Sequence, residues 1–97
     1  EEYQIIKKGV YVVTVKIAEK KYLGVCNIGN NPSINQVEKM RLEVHILDFE
    51  GEIYGNSISI DFIYRIRDEM YFPTKEELIA QIKLDIEYTR NNYAGVI

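Results

Sequence analysis

Glu43 and His45 stand two residues apart in the run from Arg41 to Leu47, where they alternate with apolar Leu42, Val44 and Ile46. A side-chain period of two makes this run a strand, with the apolar set on one face and the acid and imidazole together on the other. The two polar groups are then about 6–7 Å apart along the strand, near enough to address one bound molecule. A glutamate so placed has two uses. It can take a proton from a hydroxyl as a general base, or it can be a solvated strand residue paired with Arg41 or Lys39. His45 is the only histidine and has no metal-ligand spacing around it, so hydrogen-bonding support is its simplest role. Beyond Leu47 the chain turns through Asp48-Phe49-Glu50-Gly51 and leaves by Tyr54-Gly55.

The elements that must position this pair are legible from period and punctuation. Val10 to Ile17 puts Tyr11, Val13, Val15 and Ile17 on one face, with Thr14 and Lys16 on the other. A polar Ala18 to Lys21 turn leads into a return strand from Tyr22 to Ile28, which reads as a β-hairpin. Gly24 inside that strand marks a bulge or a close backbone approach. Gly29 to Gln36 reads as a loop, stiffened at Asn31 by the proline that follows. Arg41 to Leu47 and Ser57 to Ile66 are the remaining strands, the last with Ile58, Ile60, Phe62 and Tyr64 in period two.

The pattern then changes to a helix. Thr74-Lys75-Glu76-Glu77 is a capping box, and Leu78, Ile79, Ile82 and Ile86 follow as an apolar stripe. Lys75, Glu76, Lys83, Glu87 and Arg90 fall outward. The spacing predicts a helix from about Lys75 to near Arg90, ended by Asn91, Asn92 and Gly95.

Bulk properties narrow the function classes. The 97 residues carry a net charge of −3, with lysines and arginines scattered, so a nucleic-acid or anionic-membrane partner is not expected. No apolar run approaches the ~20 residues that span a bilayer, and no targeting segment is legible. Cys26 is the single cysteine, which rules out an internal disulfide; a small buried hydrophobe in a cytoplasmic setting is the expectation. Eight tyrosines and no tryptophan fit a small barrel or a binding site equally well. Residues 1–97 form one domain.

Three segments together resemble riboflavin kinase, closest to the C-terminal module of bacterial bifunctional FAD synthetases. They are Gly24 to Pro32, Leu42-Glu43-Val44-His45 with the Asp48 to Gly55 turn, and Ile66-Arg67-Asp68-Glu69-Met70-Tyr71-Phe72. Gly9-Val10-Tyr11 is similar to that family's opening strand, and the likeness runs from Gly9 to about Arg90. It implies a mainly β fold: a six-stranded antiparallel Greek-key barrel with one C-terminal α-helix. It also implies transfer of the ATP γ-phosphoryl group to the 5′-hydroxyl of riboflavin, giving FMN and ADP, with Mg²⁺ or Zn²⁺.

By the same resemblance Glu43 is the catalytic glutamate, with His45 supporting it. Arg67, Met70 and Phe72 belong to a flap over the flavin, and Ile46, Asp48 and Tyr54 to the nucleotide pocket. The plainer readings are core packing for Ile46, a turn-packing aromatic for Tyr54, and an Arg67 paired with Asp68 or Glu69. The family's Pro-Thr-x-Asn loop, which helps hold metal and phosphates, has no match in Glu1 to Lys8. Pro32-Ser33-Ile34-Asn35 belongs by register to a later loop, so the expectation is a domain truncated at its N-terminus, its metal site upstream of Glu1. Riboflavin and ATP are then the small-molecule partners, an N-terminal adenylyltransferase domain a further one, and an open barrel edge a route to dimers. Rival readings are a non-catalytic flavin- or nucleotide-binding barrel and a protein-interaction barrel.

Overall fold

The computed structural model describes residues 7–31 and 39–97. Four strands come first: β1 (Gly9–Ile17), β2 (Lys20–Asn31), β3 (Lys39–Ile46) and β4 (Ile58–Arg67). One helix, α1 (Lys75–Tyr93), follows and ends in a short 3₁₀ turn, Ala94–Val96. All strand pairs are antiparallel and the sheet order is β3-β2-β1-β4. Three strands joined in succession, with the fourth returning beside the first, is Greek-key order.

The six-stranded barrel expected from the resemblance is corrected here. Among the described residues the sheet has four strands and stays open, because β3 and β4 are its two edges and no ladder joins them. Closing a sheet requires enough tilted, staggered strands for the first and last to meet, and four in this order do not bring β3 to β4.

The strand bounds differ from expectation mainly in β2. Gly29, Asn30 and Asn31 continue the ladder, paired with Arg41, Met40 and Lys39, where the breaker residues predict a loop. Cross-strand pairing overrides local propensity here. The rest of that predicted loop, from Pro32 to Gln36 and including Ser33 and Asn35, lies outside the described residues, as does the segment 1–6. Gly24 keeps regular pairing with Val13 and Ile46 and is the close-approach case: a Cβ there would sit 3.1 Å from the His45 carbonyl oxygen and from Val13 Cγ2.

β1 is central and buried on both faces. Tyr11, Val13, Val15 and Ile17 join Cys26 and Ile28 in one cluster, with Val44, Ile46, Phe49, Ile60 and Phe62 packed against it. Val12 joins Leu23 and Leu47 on the opposite face, against Ile66, Ile86, Tyr88 and Tyr93. Thr14, expected on a polar face, is therefore buried, and only Lys16 points out. Period two does not survive along β4. Its register to β1 shifts between Val12 and Val13 and again between Val10 and Tyr11, so Phe62 faces Val13 while Tyr64 faces Val12. Such a bulge turns the chain over by one residue. Tyr64 thereby reaches the helix side, where its ring stacks on Tyr93 at 5.9 Å.

α1 begins at the predicted cap: the Thr74 hydroxyl accepts from the Glu77 amide at 3.2 Å and donates to the Glu77 carboxylate at 3.2 Å. Its inner face differs from the apolar stripe. Asp85 and Thr89 are its buried residues, while Leu78 and Ile79 are partly exposed. The Asp48-Phe49-Glu50-Gly51 turn opens with Asp48 at φ +62, and the Arg90 guanidinium holds its carboxylate at 2.7 Å.

Two outcomes check this packing. Thr74→Ala should lower unfolding free energy by about 1 kcal/mol in a urea titration. Cys26 is fully buried and burial pushes its thiol up to about 11. Disulfide reagents at pH 8 should therefore label it only at the rate of unfolding, and rapid labelling of the native protein would contradict the core assignment.

Candidate active site between sheet and helix

A cavity of about 300 Å³ lies between the sheet, α1 and the connection after β4. Its floor is Val10 of β1 with Val25 and Asn27 of β2. Arg41, Glu43 and His45 of β3 form one wall, since Glu43 pairs with Asn27 and His45 with Val25 across the ladder. Leu78, Ile82 and Asp85 of α1 form the other wall. Arg67 and the residues Glu69 to Phe72 roof it. Apolar walls with a few converging polar groups, at this volume, suit a small-molecule ligand.

Register decides which side chains arrive. Alternation on β3 sends Val44 and Ile46 into the apolar cluster and Glu43 and His45 into the cavity. The two bulges of β4 bring Arg67 opposite Val10 and onto the helix side. There it meets Asp85, with Nε 3.2 Å from Oδ1 and Nη2 2.7 Å from Oδ2. Gln81 donates to the same carboxylate at 3.2 Å, and the Arg67 Nη1 donates to the Asp68 carbonyl at 3.0 Å. Arg67 and Asp85 are 18% and 5% exposed, so this is a forked pair in a largely dry setting.

On the facing wall, Arg41 sits 3.9 Å from Glu43 and 3.1 Å from Glu69. Glu43 is 60% exposed and open to the cavity. Beside it the Asn27 Oδ1 is buried without a hydrogen-bond partner, an acceptor left for a donor from a bound molecule. Just outside the roof, Arg65 holds Asp68 at 2.7 Å; its hydrogen bond and charge keep the Asp68 carboxyl below the usual range and the Arg65 guanidinium above its own.

Of the residues marked out from sequence, Glu43, His45, Arg67, Met70 and Phe72 line this one cavity. Ile46, Asp48 and Tyr54 do not. Ile46 packs on the other face of the sheet, Asp48 is tied to Arg90, and Tyr54 is 91% exposed. The plainer reading of Arg67 paired it with Asp68 or Glu69; its carboxylate partner is Asp85, 18 residues on. Arg41 and Asp85 were missed as site residues, while Asn27 and Glu69 fell inside segments that carry the resemblance without a role of their own. Asp85 left a trace, because it falls on the inner face of the predicted helix at three residues from Ile82 and seven from Leu78. Arg41 depends on cross-strand register and leaves none.

The described residues contain no group of three His, Cys, Asp or Glu side chains able to hold a metal ion. No chemical step is assigned through the divalent metal that the resemblance implies. No helix among them is long and apolar enough to cross a membrane.

Known proteins resemble this chain over most of its length. The family model described as riboflavin kinase matches residues 1–93. The bifunctional riboflavin kinase/FMN adenylyltransferase of Haemophilus influenzae is 41% identical over 81 residues, covering 82% of this chain and 26% of that protein. The protein of the same description from Buchnera aphidicola subsp. Acyrthosiphon pisum is 42% identical over 84 residues, covering 84% of this chain and 27% of that one. A crystal structure described as a macrolide-efflux protein from Streptococcus pneumoniae superposes with a TM-score of 0.78 at 40% identity, over 87% of this chain and 27% of that one. The chain thus spans about a quarter of the length of these relatives.

Asp85→Ala would leave Arg67 charged, largely buried and without its carboxylate partner. Breaking such a pair costs about 3 kcal/mol, so the urea midpoint should fall accordingly. Arg67→Met combined with Asp85→Leu should recover most of that loss. A single substitution no worse than the double one would contradict the buried pairing.

Proposed function

The chain belongs to the riboflavin kinase family, and from that premise we propose that its cavity binds riboflavin and phosphorylates it with ATP. The observation that carries the reading is the convergence of Glu43, Arg67, Met70 and Phe72, from two separated parts of the sequence, on one cavity. The tricyclic ring of the flavin packs against Met70, Phe72 and the apolar wall of Leu78 and Ile82. Its ribityl chain runs toward β3, where Glu43 accepts the proton of the 5′-hydroxyl. The hydroxyl oxygen bonds to the γ-phosphorus, the bond from that phosphorus to the β,γ-bridging oxygen breaks, and ADP leaves with the electron pair.

Each neighbour has a part in that step. The Asn27 Oδ1 accepts a hydrogen bond from a ribityl hydroxyl, helping hold the reacting oxygen beside Glu43. His45 stands next to Glu43 on the same wall and supports its hydrogen bonding. Arg67, fixed by Asp85, anchors the roof that excludes water once the flavin is in place. Ile46, Asp48 and Tyr54, outside the cavity, are the proposed nucleotide contacts, partly through backbone groups. An adenylyltransferase unit accompanies this reading, after the relatives' description, and a cytoplasmic setting is a separate expectation. Self-association through β3 or β4, the two strand edges left open among the described residues, is a further expectation.

A second reading is flavin binding without phosphoryl transfer. One substitution separates the two. Glu43→Gln should leave quenching of riboflavin fluorescence unchanged while lowering kcat for FMN formation by about 10²–10⁴. Unchanged turnover would remove Glu43 from the chemistry; binding without turnover in the unsubstituted chain would favour the second reading.

A further inference from the structure

Two of the ion pairs that hold the roof differ in burial, and a third, Arg65 with Asp68, lies just outside it. At its root, Arg67 and Asp85 are locked together, and Nε, Nη1 and Nη2 of Arg67 all donate to protein oxygens. At its tip, Glu69 crosses the cavity mouth to Arg41 of β3, Nη2 to Oε2 3.1 Å, with both side chains about one-third exposed. A buried forked pair resists exchange with solvent ions, whereas a half-exposed pair is weak and readily exchanged.

The seat of Glu69 depends on a glycine. Gly29 is the register partner of Arg41, and a Cβ on Gly29 would fall 2.1 Å from Glu69 Oε2 and 2.9 Å from Arg41 Nη2. Its backbone φ is an ordinary one, so the glycine serves the approach of the carboxylate and not a turn. Arg41 also lies 3.9 Å from Glu43.

Resting on the flavin-phosphorylation reading, we propose that Arg41 exchanges Glu69 for the phosphate formed on the ribityl 5′-oxygen, so that Glu69 holds the phosphate's place in the ligand-free protein. A guanidinium presents the same N–H fork to either group, and a phosphate brings more charge and a third oxygen. The new phosphate forms beside Glu43, within reach of Arg41, while Arg67 is already committed to Asp85. When the phosphate takes Arg41, Glu69 leaves its seat over Gly29 and the tip of the roof is freed. Product formation thereby loosens the segment that product must pass.

The exchange can be read without flavin. Amide hydrogen exchange at residues 68–72 should rise several-fold in Glu69→Gln and in Gly29→Ala, which disturbs the seat without removing a charge. The control Glu76→Gln, on the first turn of α1, should not raise it. Inorganic phosphate, against chloride at equal ionic strength, should raise exchange in the unsubstituted protein but not in Glu69→Gln. Exchange unmoved by both substitutions, or by phosphate, overturns the proposal. Fluorescence titrations with riboflavin and FMN supply the second arm. Arg41→Gln should cut the preference for FMN over riboflavin by about tenfold, and Glu69→Gln should raise it. A preference unmoved by Arg41→Gln overturns the exchange. A native protein that binds neither flavin ends the flavin reading alone, since the phosphate arm still decides what Arg41 holds.

Discussion

The ion pair between Arg67 and Asp85 is the constraint on which the rest of the arrangement depends. It joins the last residue of β4 to the middle of α1, in surroundings dry enough that neither charge is stable alone. The apolar contacts between sheet and helix are few, centred on Val12, Leu23 and Leu47 with Ile86, Tyr88 and Tyr93. Such contacts are non-directional and set no register. A forked guanidinium–carboxylate pair does set one, because both hydrogen bonds form only at one depth and one rotation of the helix. That depth leaves the space between sheet and helix open as a cavity instead of collapsing it.

Two features of the strands make the pair possible. The bulges in β4 turn Arg67 to the helix side, while Phe62 stays with the apolar cluster. The sheet thus has one fully apolar face and one face of mixed chemistry. Val10 and Val25 supply the apolar part of that mixed face, and Asn27, Arg41, Glu43 and His45 the polar part. Charge is arranged with the same economy: Arg41 and Arg67 each face a carboxylate, and Glu43 keeps its exposed side toward the cavity. The sidedness of β3 therefore separates structure from chemistry within eight residues.

How much of this could be read beforehand follows from the range of the interactions. The hairpin of β1 and β2, the alternation of β3 and the cap at Thr74 are set by neighbours in sequence, and period and residue type reveal them. The Glu43–His45 face was legible for the same reason. Gly29 to Asn31 read as a loop because their propensities oppose a strand, and only pairing with Arg41, Met40 and Lys39 holds them in one. Tyr64 was assigned to the wrong face because a bulge interrupts period two without any residue type that announces it. Sheet closure was misjudged because closure is a property of strand number and register together. The partnership of Arg67 with Asp85, and the seat of Glu69 over Gly29, come from the packing of distant segments, which no local pattern encodes.

The central claim is that the flavin occupies the cavity between sheet and helix, beside Glu43. Mapping amide chemical shifts during a riboflavin titration tests it most directly. The account predicts saturable shifts at Asn27, Glu43, His45 and residues 67–72, with Lys16 and the outer face of α1 at Lys83 and Glu87 unmoved. Shifts confined to the exposed Asp48 to Gly55 turn or the outer face of α1, or none at saturating riboflavin, would contradict it.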